Sequence, residues 1–363
     1  MPDRRSFITG LFALGLCPSV TWADAGSPAF LSAARKPDGS YALFGISEQG
    51  RTIFEIALPG RGHAAAAHPR RPEAVAFARR PGNFAMALDC RNGETKAVLH
   101  CPKGRHFQGH GAFSEDGSLL YTAENDYDHA RGVIGIWNAD QGYKRVGEFA
   151  SHGVGPHDLK LMPDKKHLVI ANGGIETHPD SGREKLNIPT MKPNLAYVTL
   201  DGALVEMVEL PQAMHKSSIR HLSLGADGTV AFAMQWQGDI NNAPAMLGLH
   251  KRGEEARLLE APDNEQRVLQ GYVGSVALDM EQKLLAASSP RGGVVHQFDT
   301  DTGEFLGAIH EEDVCGLAIR DHKLVRTSGM GIVCLSEDMA GTQMDKMRVT
   351  HRYQWDNHLI PIG

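Results

Sequence analysis

One unit recurs along this chain: a short alternating strand, a tight turn, usually Asp-Gly, and a second strand rich in Leu, Val, Ala or Tyr. It reads SAARKPDGSYALFGI, EAVAFARRPGNFAMALD, HGAFSEDGSLLYTAEN, HDLKLMPDKKHLVIANG, HLSLGADGTVAFAMQW, SVALDMEQKLLAASS and CGLAIRDHKLVRTSG. Each is a β-hairpin signature, period-2 alternation broken by a turn. Several units continue into further strands, as in GVIGIWNADQGYKRVGEF and GGVVHQFDTDTGEFLGAI. No helical 3.6-residue period is sustained in the mature chain. A hairpin that cannot bury its own faces must stack on copies of itself, and radial stacking leaves only short edges. The repeat predicts an all-β chain, a seven-bladed β-propeller. A sandwich joined to a barrel would explain the strands but not their repetition.

The first residues read differently. DRRSFITGLFALGLCPSVTWADAG pairs Arg4 and Arg5 with Ser6 and Phe7, then an apolar run, then small residues at Ala23 and Ala25. Residues 1–25 are expected to be a twin-arginine export signal, with the propeller over 26–363 and a periplasmic location. An ordinary Sec signal is the alternative; lipid attachment at Cys17 is disfavoured by bulky Leu16. No later apolar run has the length of a membrane-spanning helix. A net charge of −6 without a basic tract argues against nucleic acid as a partner. Beyond Cys17 the cysteines are Cys90, Cys101, Cys315 and Cys334, whose pairing the sequence leaves open.

Counting back from each turn reaches the start of what should be the innermost strand. The residue found there is Ser32, His110, His157, His221, Ser275 or Cys315. The second unit fits less well: its Pro81-Gly82 turn points to Ala74, with ionisable Glu73 one place earlier. Such positions ring one mouth of a propeller's channel. His110, His157, His221 and Cys315, with Glu73, are therefore the expected metal ligands, since imidazole, thiolate and carboxylate suit zinc, copper or iron. The competing reading is a set of polar residues that hydrate the channel. Asp158 beside the ring could fix a histidine tautomer, and Arg220 and Arg291 suit an anionic group such as a carboxylate or a haem propionate.

The fourth unit carries one long insertion, IETHPDSGREKLNIPTMKPNLAY, which is either a lid that would bring His178, Arg183 and Met191 over the mouth or a decorating surface loop. ENDYDHARG at 124–132 is a shorter candidate of the same kind. The chain has no GxSxG elbow, Walker loop, HExxH or CxxCH motif.

The segments GHGAFSEDG, TAENDY, RGVIGIW, SHGVGPHDL, ANGGIETHP, KLN, SIRHL, GYVGSVALD, SSPRGG and CGLA together resemble the bacterial family called domain of unknown function 1513, from about residue 27 to 355. The resemblance implies an exported seven-bladed propeller akin to the quinoprotein amine dehydrogenase, YVTN and WD40-like superfamily. It also implies a role in iron acquisition beside imelysin-type iron-uptake proteins and a di-haem oxidoreductase-like protein, with no established catalytic activity. Three functions compete: a metal- or haem-handling propeller, a lactonase-like hydrolase using the same mouth, and a non-catalytic interaction scaffold.

Overall fold

A computed structural model describes residues 20–79, 83–336 and 345–362. The chain forms seven antiparallel sheets arranged as the blades of a propeller. Blades two to seven each run outward from the channel through four strands, and their inner strands are Gly62–Ala67, Arg105–Phe113, Pro156–Leu161, Ser217–Leu224, Ser275–Asp279 and Val314–Arg320.

Blade one is built from both ends of the chain. Phe30–Arg35, Tyr41–Ile46 and Thr52–Leu58 supply its second, third and fourth strands. Its inner place is taken by the C-terminal segments Gln354–Trp355 and Ile360–Pro361, both antiparallel to Phe30–Arg35. Trp355 and Leu359 are buried there, and Phe44 packs on Tyr353 and Trp355 at ring separations of 4.4 and 5.3 Å. The closure covers the edge of Phe30–Arg35 that would otherwise invite pairing with other chains. Of the expected closing segment RVTHRYQW, the first three residues belong to the outer strand Asp345–Thr350 of blade seven. Only its last two residues pair with blade one, and the true closing strand extends six residues further.

Burial follows position in the blade. The second strand of blade four, His167–Asn172, is buried from Leu168 onward because its two faces pack against neighbouring blades. Such strands read as continuous apolar runs. Outer strands such as Lys144–Ala150 and Leu204–Glu209 alternate between exposed and half-buried residues. The largest cluster lies between blades four, five and six, around Tyr197, Phe232, Met234 and Leu285.

At the N-terminal side, Trp22–Ala25 forms a 3-10 turn whose indole donates to the His68 carbonyl at 2.9 Å, and Ala25 is buried. The paired arginines and Cys17 lie outside the described residues, as does the Pro81-Gly82 turn. Cys90, Cys101, Cys315 and Cys334 are all free thiols.

Candidate metal centre

Inner strands of a propeller should alternate, one side chain toward each neighbouring blade. Several of these do not. The pairing register breaks between Gly62 and Ala65, Phe107 and Gly111, Pro156 and Asp158, Ile219 and His221, and Val314 and Leu317. The closing strand is interrupted between Trp355 and Ile360. A bulge adds a residue to one strand and re-aims the side chains around it. Each of these breaks contains or borders a histidine or a cysteine: His358, His63, His110, His157, His221 and Cys315, in blades one to five and seven.

The five histidines converge. Ring centroids lie 4.5 Å apart for His63 and His358, 4.6 Å for His110 and His358, and 5.0 Å for His63 and His110. On the other flank they are 5.0 Å apart for His110 and His157, 4.9 Å for His157 and His221, and 4.9 Å for His221 and His358. Two triads, His63/His110/His358 and His110/His157/His221, each have donor nitrogens within 4.8 Å of one another. Nitrogens on one ion at ~2.1 Å can be at most about 4.2 Å apart, so ligation needs only a small inward turn of the rings.

Burial pushes His63, His157, His221 and His358 well below the ordinary histidine range, and the neighbouring imidazoles and arginines add to the effect. They are neutral at pH 7. Nδ1 of His63, Nε2 of His110, both ring nitrogens of His221 and Nε2 of His358 are buried without a hydrogen-bond partner. Each such group costs about 1–3 kcal/mol when left unsatisfied. A cluster of them at one point is what a cation site requires and what a structural core avoids.

Asp158 supports the cluster from behind. Its Oδ1 lies 3.2 Å from His110 Nδ1, and its Oδ2 accepts from the Leu222 amide at 3.0 Å. Burial works against the carboxylate, but the charge of Lys160 and the contact with His110 hold it well below the usual aspartate range. With Nδ1 turned to Asp158, His110 presents Nε2 to the centre. His110 belongs to both triads.

The histidine layer separates two chambers. One, of about 380 Å³, is walled largely by aliphatic side chains such as Leu222, Leu278 and Leu317, and is reached by His110, His221 and His358. The other, of about 260 Å³, is reached by His63, His157 and His221. Among the described residues its wall carries Arg79, Arg183, Lys185 and Arg220 and no carboxylate.

The family described as "Protein of unknown function (DUF1513)" matches residues 56–362. The chain belongs to that family. No curated protein matches this DUF1513 chain at a significant level. Among solved structures, a chain of Kuenenia stuttgartiensis hydrazine synthase is similar at 15% identity and TM-score 0.60, covering 89% of this chain and 96% of that one. A chain from a crystal structure of the mitotic checkpoint complex is similar at 12% identity and TM-score 0.57, covering 80% and 79%. At these identities the likeness is one of fold.

The DUF1513 propeller brings His110, His157 and His221 together as expected and corrects three other placements. Glu73 is not at the channel. It sits on the second strand of blade two, bonded to Lys96, Arg71 and the Tyr143 hydroxyl. His63 holds the inner position in that blade. Ser32 is likewise on a second strand, its hydroxyl donating to the His358 carbonyl at 2.8 Å. Cys315 is on an inner strand, but its thiol faces the Asp313 carbonyl at 3.0 Å, and burial and the Asp313 charge push its pKa up. It is not among the clustered donors.

The insertion of blade four delivers Arg183 and Lys185 to the basic chamber, whereas Met191 is buried as an anchor. His178 turns away toward Tyr127 and Asp128 of blade three. Arg291 stacks 4.5 Å over Tyr272, which lines the chamber. Counting back from a marked turn does not reach His63 or His358, because neither lies on a strand that such a turn follows. The turn after Gly62–Ala67 is held by His68 Nδ1, which accepts from the Arg70 and Arg71 amides at 3.0 and 2.9 Å, so no Asp-Gly signature appears. A signal for His63 existed in the flanking strand GHAAAA; His358 had none.

Proposed function

We propose that this DUF1513 chain is a metal-handling propeller that holds one transition-metal ion in the middle of its channel. The observation that carries the reading is the convergence of five imidazoles, four of them buried with ring nitrogens that have no hydrogen-bond partner. An all-imidazole set suits copper, zinc or ferrous iron better than ferric iron, which prefers carboxylate oxygen. Haem fits less well, because its iron offers at most two axial positions to protein, whereas five imidazoles converge here. The DUF1513 resemblance favours iron and an exchange with imelysin-type and di-haem partner proteins in the periplasm.

Elemental analysis of the protein purified from its native compartment should find about one transition-metal ion per chain. Titration of metal-free protein with zinc, copper or anaerobic ferrous iron should saturate at the same ratio. Protein that neither carries nor binds any of these ions would leave the scaffold reading in place. Export is tested separately: replacing Arg4 and Arg5 together by lysine should block accumulation outside the cytoplasm, and normal accumulation would assign the signal to the Sec route.

A further inference from the structure

We propose that the metal is taken up together with an oxyanion, and that the anion, by engaging Arg220 in the basic chamber, releases His157 for coordination. The inference rests on the reading of the histidine cluster as a metal centre.

The first observation is a hydrogen bond that blocks a ligand. Arg220 Nη1 lies 3.3 Å from His157 Nδ1. A guanidinium can only donate, so Nδ1 is the acceptor and the proton of the neutral ring sits on Nε2. In that arrangement one nitrogen of His157 is occupied by Arg220 and the other by hydrogen, and no lone pair remains for a cation. Coordination by His157 therefore requires Arg220 to leave.

The second observation is charge. The five imidazoles bring no negative charge, and among the described residues Asp158 is the carboxylate in contact with them, through His110. A divalent ion placed there sits beside Arg79, Arg183, Lys185 and Arg220 on the chamber wall. Arg79 pairs with Asp356 at 2.8 Å, and Lys185 Nζ donates to Gln237 Oε1. Burial and the charges of Arg220 and Arg291 pull Lys185 down from its ordinary pKa, a sign of crowded positive charge. Adding a dication to this wall is unfavourable unless an anion enters too.

The two observations meet at Arg220, which sits at the register break of its inner strand between Ile219 and His221. A carboxylate or inorganic oxyanion in the chamber offers its guanidinium a two-point, charge-assisted partner stronger than a neutral imidazole nitrogen. The anion thus neutralises the wall and frees His157 in one step. Metal and anion must then strengthen each other by the same factor.

The test is zinc affinity of the metal-free protein in sodium sulfate, in sodium succinate and in sodium chloride at matched ionic strength. Zinc should bind about tenfold more tightly with an oxyanion than with chloride, and sulfate should bind more tightly to zinc-loaded protein by the same factor. The sulfate and succinate arms distinguish an inorganic from a carboxylate ligand. In Arg220→Leu, zinc affinity in chloride should rise toward the oxyanion value and the enhancement should disappear, whereas a merely structural role would weaken binding in every buffer. In His157→Ala the affinity should sit at the lower value, and the enhancement should shrink to the part that neutralising the chamber wall supplies. Equal zinc affinity in all three salts overturns the inference and leaves the metal centre standing. Absence of zinc binding in every salt removes both.

Discussion

The Asp158 carboxylate, 3.2 Å from His110 Nδ1, is among the described residues the one acidic group in contact with the histidine layer, and its other oxygen is anchored on the Leu222 amide of the next blade. It ties blades three, four and five to a single imidazole orientation. Partners of this kind behind a ligating histidine are commonly worth 10–100-fold in metal affinity. Asp158→Asn keeps the shape but loses the negative charge and one acceptor. Its affinity for zinc or copper should fall by about that factor. Unchanged affinity would mean that His110 is oriented by packing alone.

The corrected register makes its own prediction. His63→Ala and His358→Ala should each weaken metal binding, and Glu73→Gln should not. Instead Glu73→Gln loses ionic contacts with Arg71 and Lys96, both partly exposed, at a buried carboxylate. It should lower stability by about 1–3 kcal/mol. Metal titrations and denaturant unfolding of the three variants separate the two effects. A loss of metal affinity in Glu73→Gln alone would restore the placement expected from the hairpin repeat.

Gly109 adopts φ +98°, and a Cβ there would lie 2.4 Å from Cδ2 of His63. Gly109→Ala should therefore cost about 1–3 kcal/mol in backbone strain and displace the His63 ring, lowering metal affinity as well. Gly142, at φ +67° with nothing within 4 Å, is the matched control. Gly142→Ala should cost about 1 kcal/mol and leave the metal site untouched. Equal effects of the two substitutions on metal binding would refute the contact.

The buried imidazoles also set a pH dependence for the metal-free protein. His63, His157, His221 and His358 have pKa values well below the usual 6.5, chiefly through burial. Above pH 6.5 they are neutral in both folded and unfolded chains and contribute no pH dependence. As pH falls below that value the unfolded chain binds protons that the folded one refuses, so stability falls with pH. Each histidine contributes up to about 1.4 kcal/mol per pH unit until it titrates in the fold. His68 and His296, both pushed to about 4 mainly by burial, act in the same direction. Urea midpoints should drop steadily from pH 7 to pH 5, and a flat profile would show that the histidines titrate as if exposed. Metal binding should persist somewhat below the ordinary histidine range, since protons compete poorly for these nitrogens.

Local pattern alone was enough for the architecture. The alternation and the turns of SEDGSLLY and GADGTVAF determine hairpins, and their number determines how many blades must close a ring. The same turns placed His110, His157 and His221 correctly, because in those blades the marked hairpin joins the inner strand to the second. Tertiary structure decided the rest. In blades one and two the marked hairpin joins the second strand to the third, which moved Ser32 and Glu73 one strand outward. The inner strand of blade one comes from the far end of the chain, and a pairing such as Ala34 with Trp355 leaves no trace in local sequence. The bulges that aim the imidazoles inward, and the turn of the Cys315 thiol toward Asp313, also lie beyond any periodicity. A one-residue insertion changes which way a side chain points without changing the composition around it, so only the packed ring reveals the five-histidine layer.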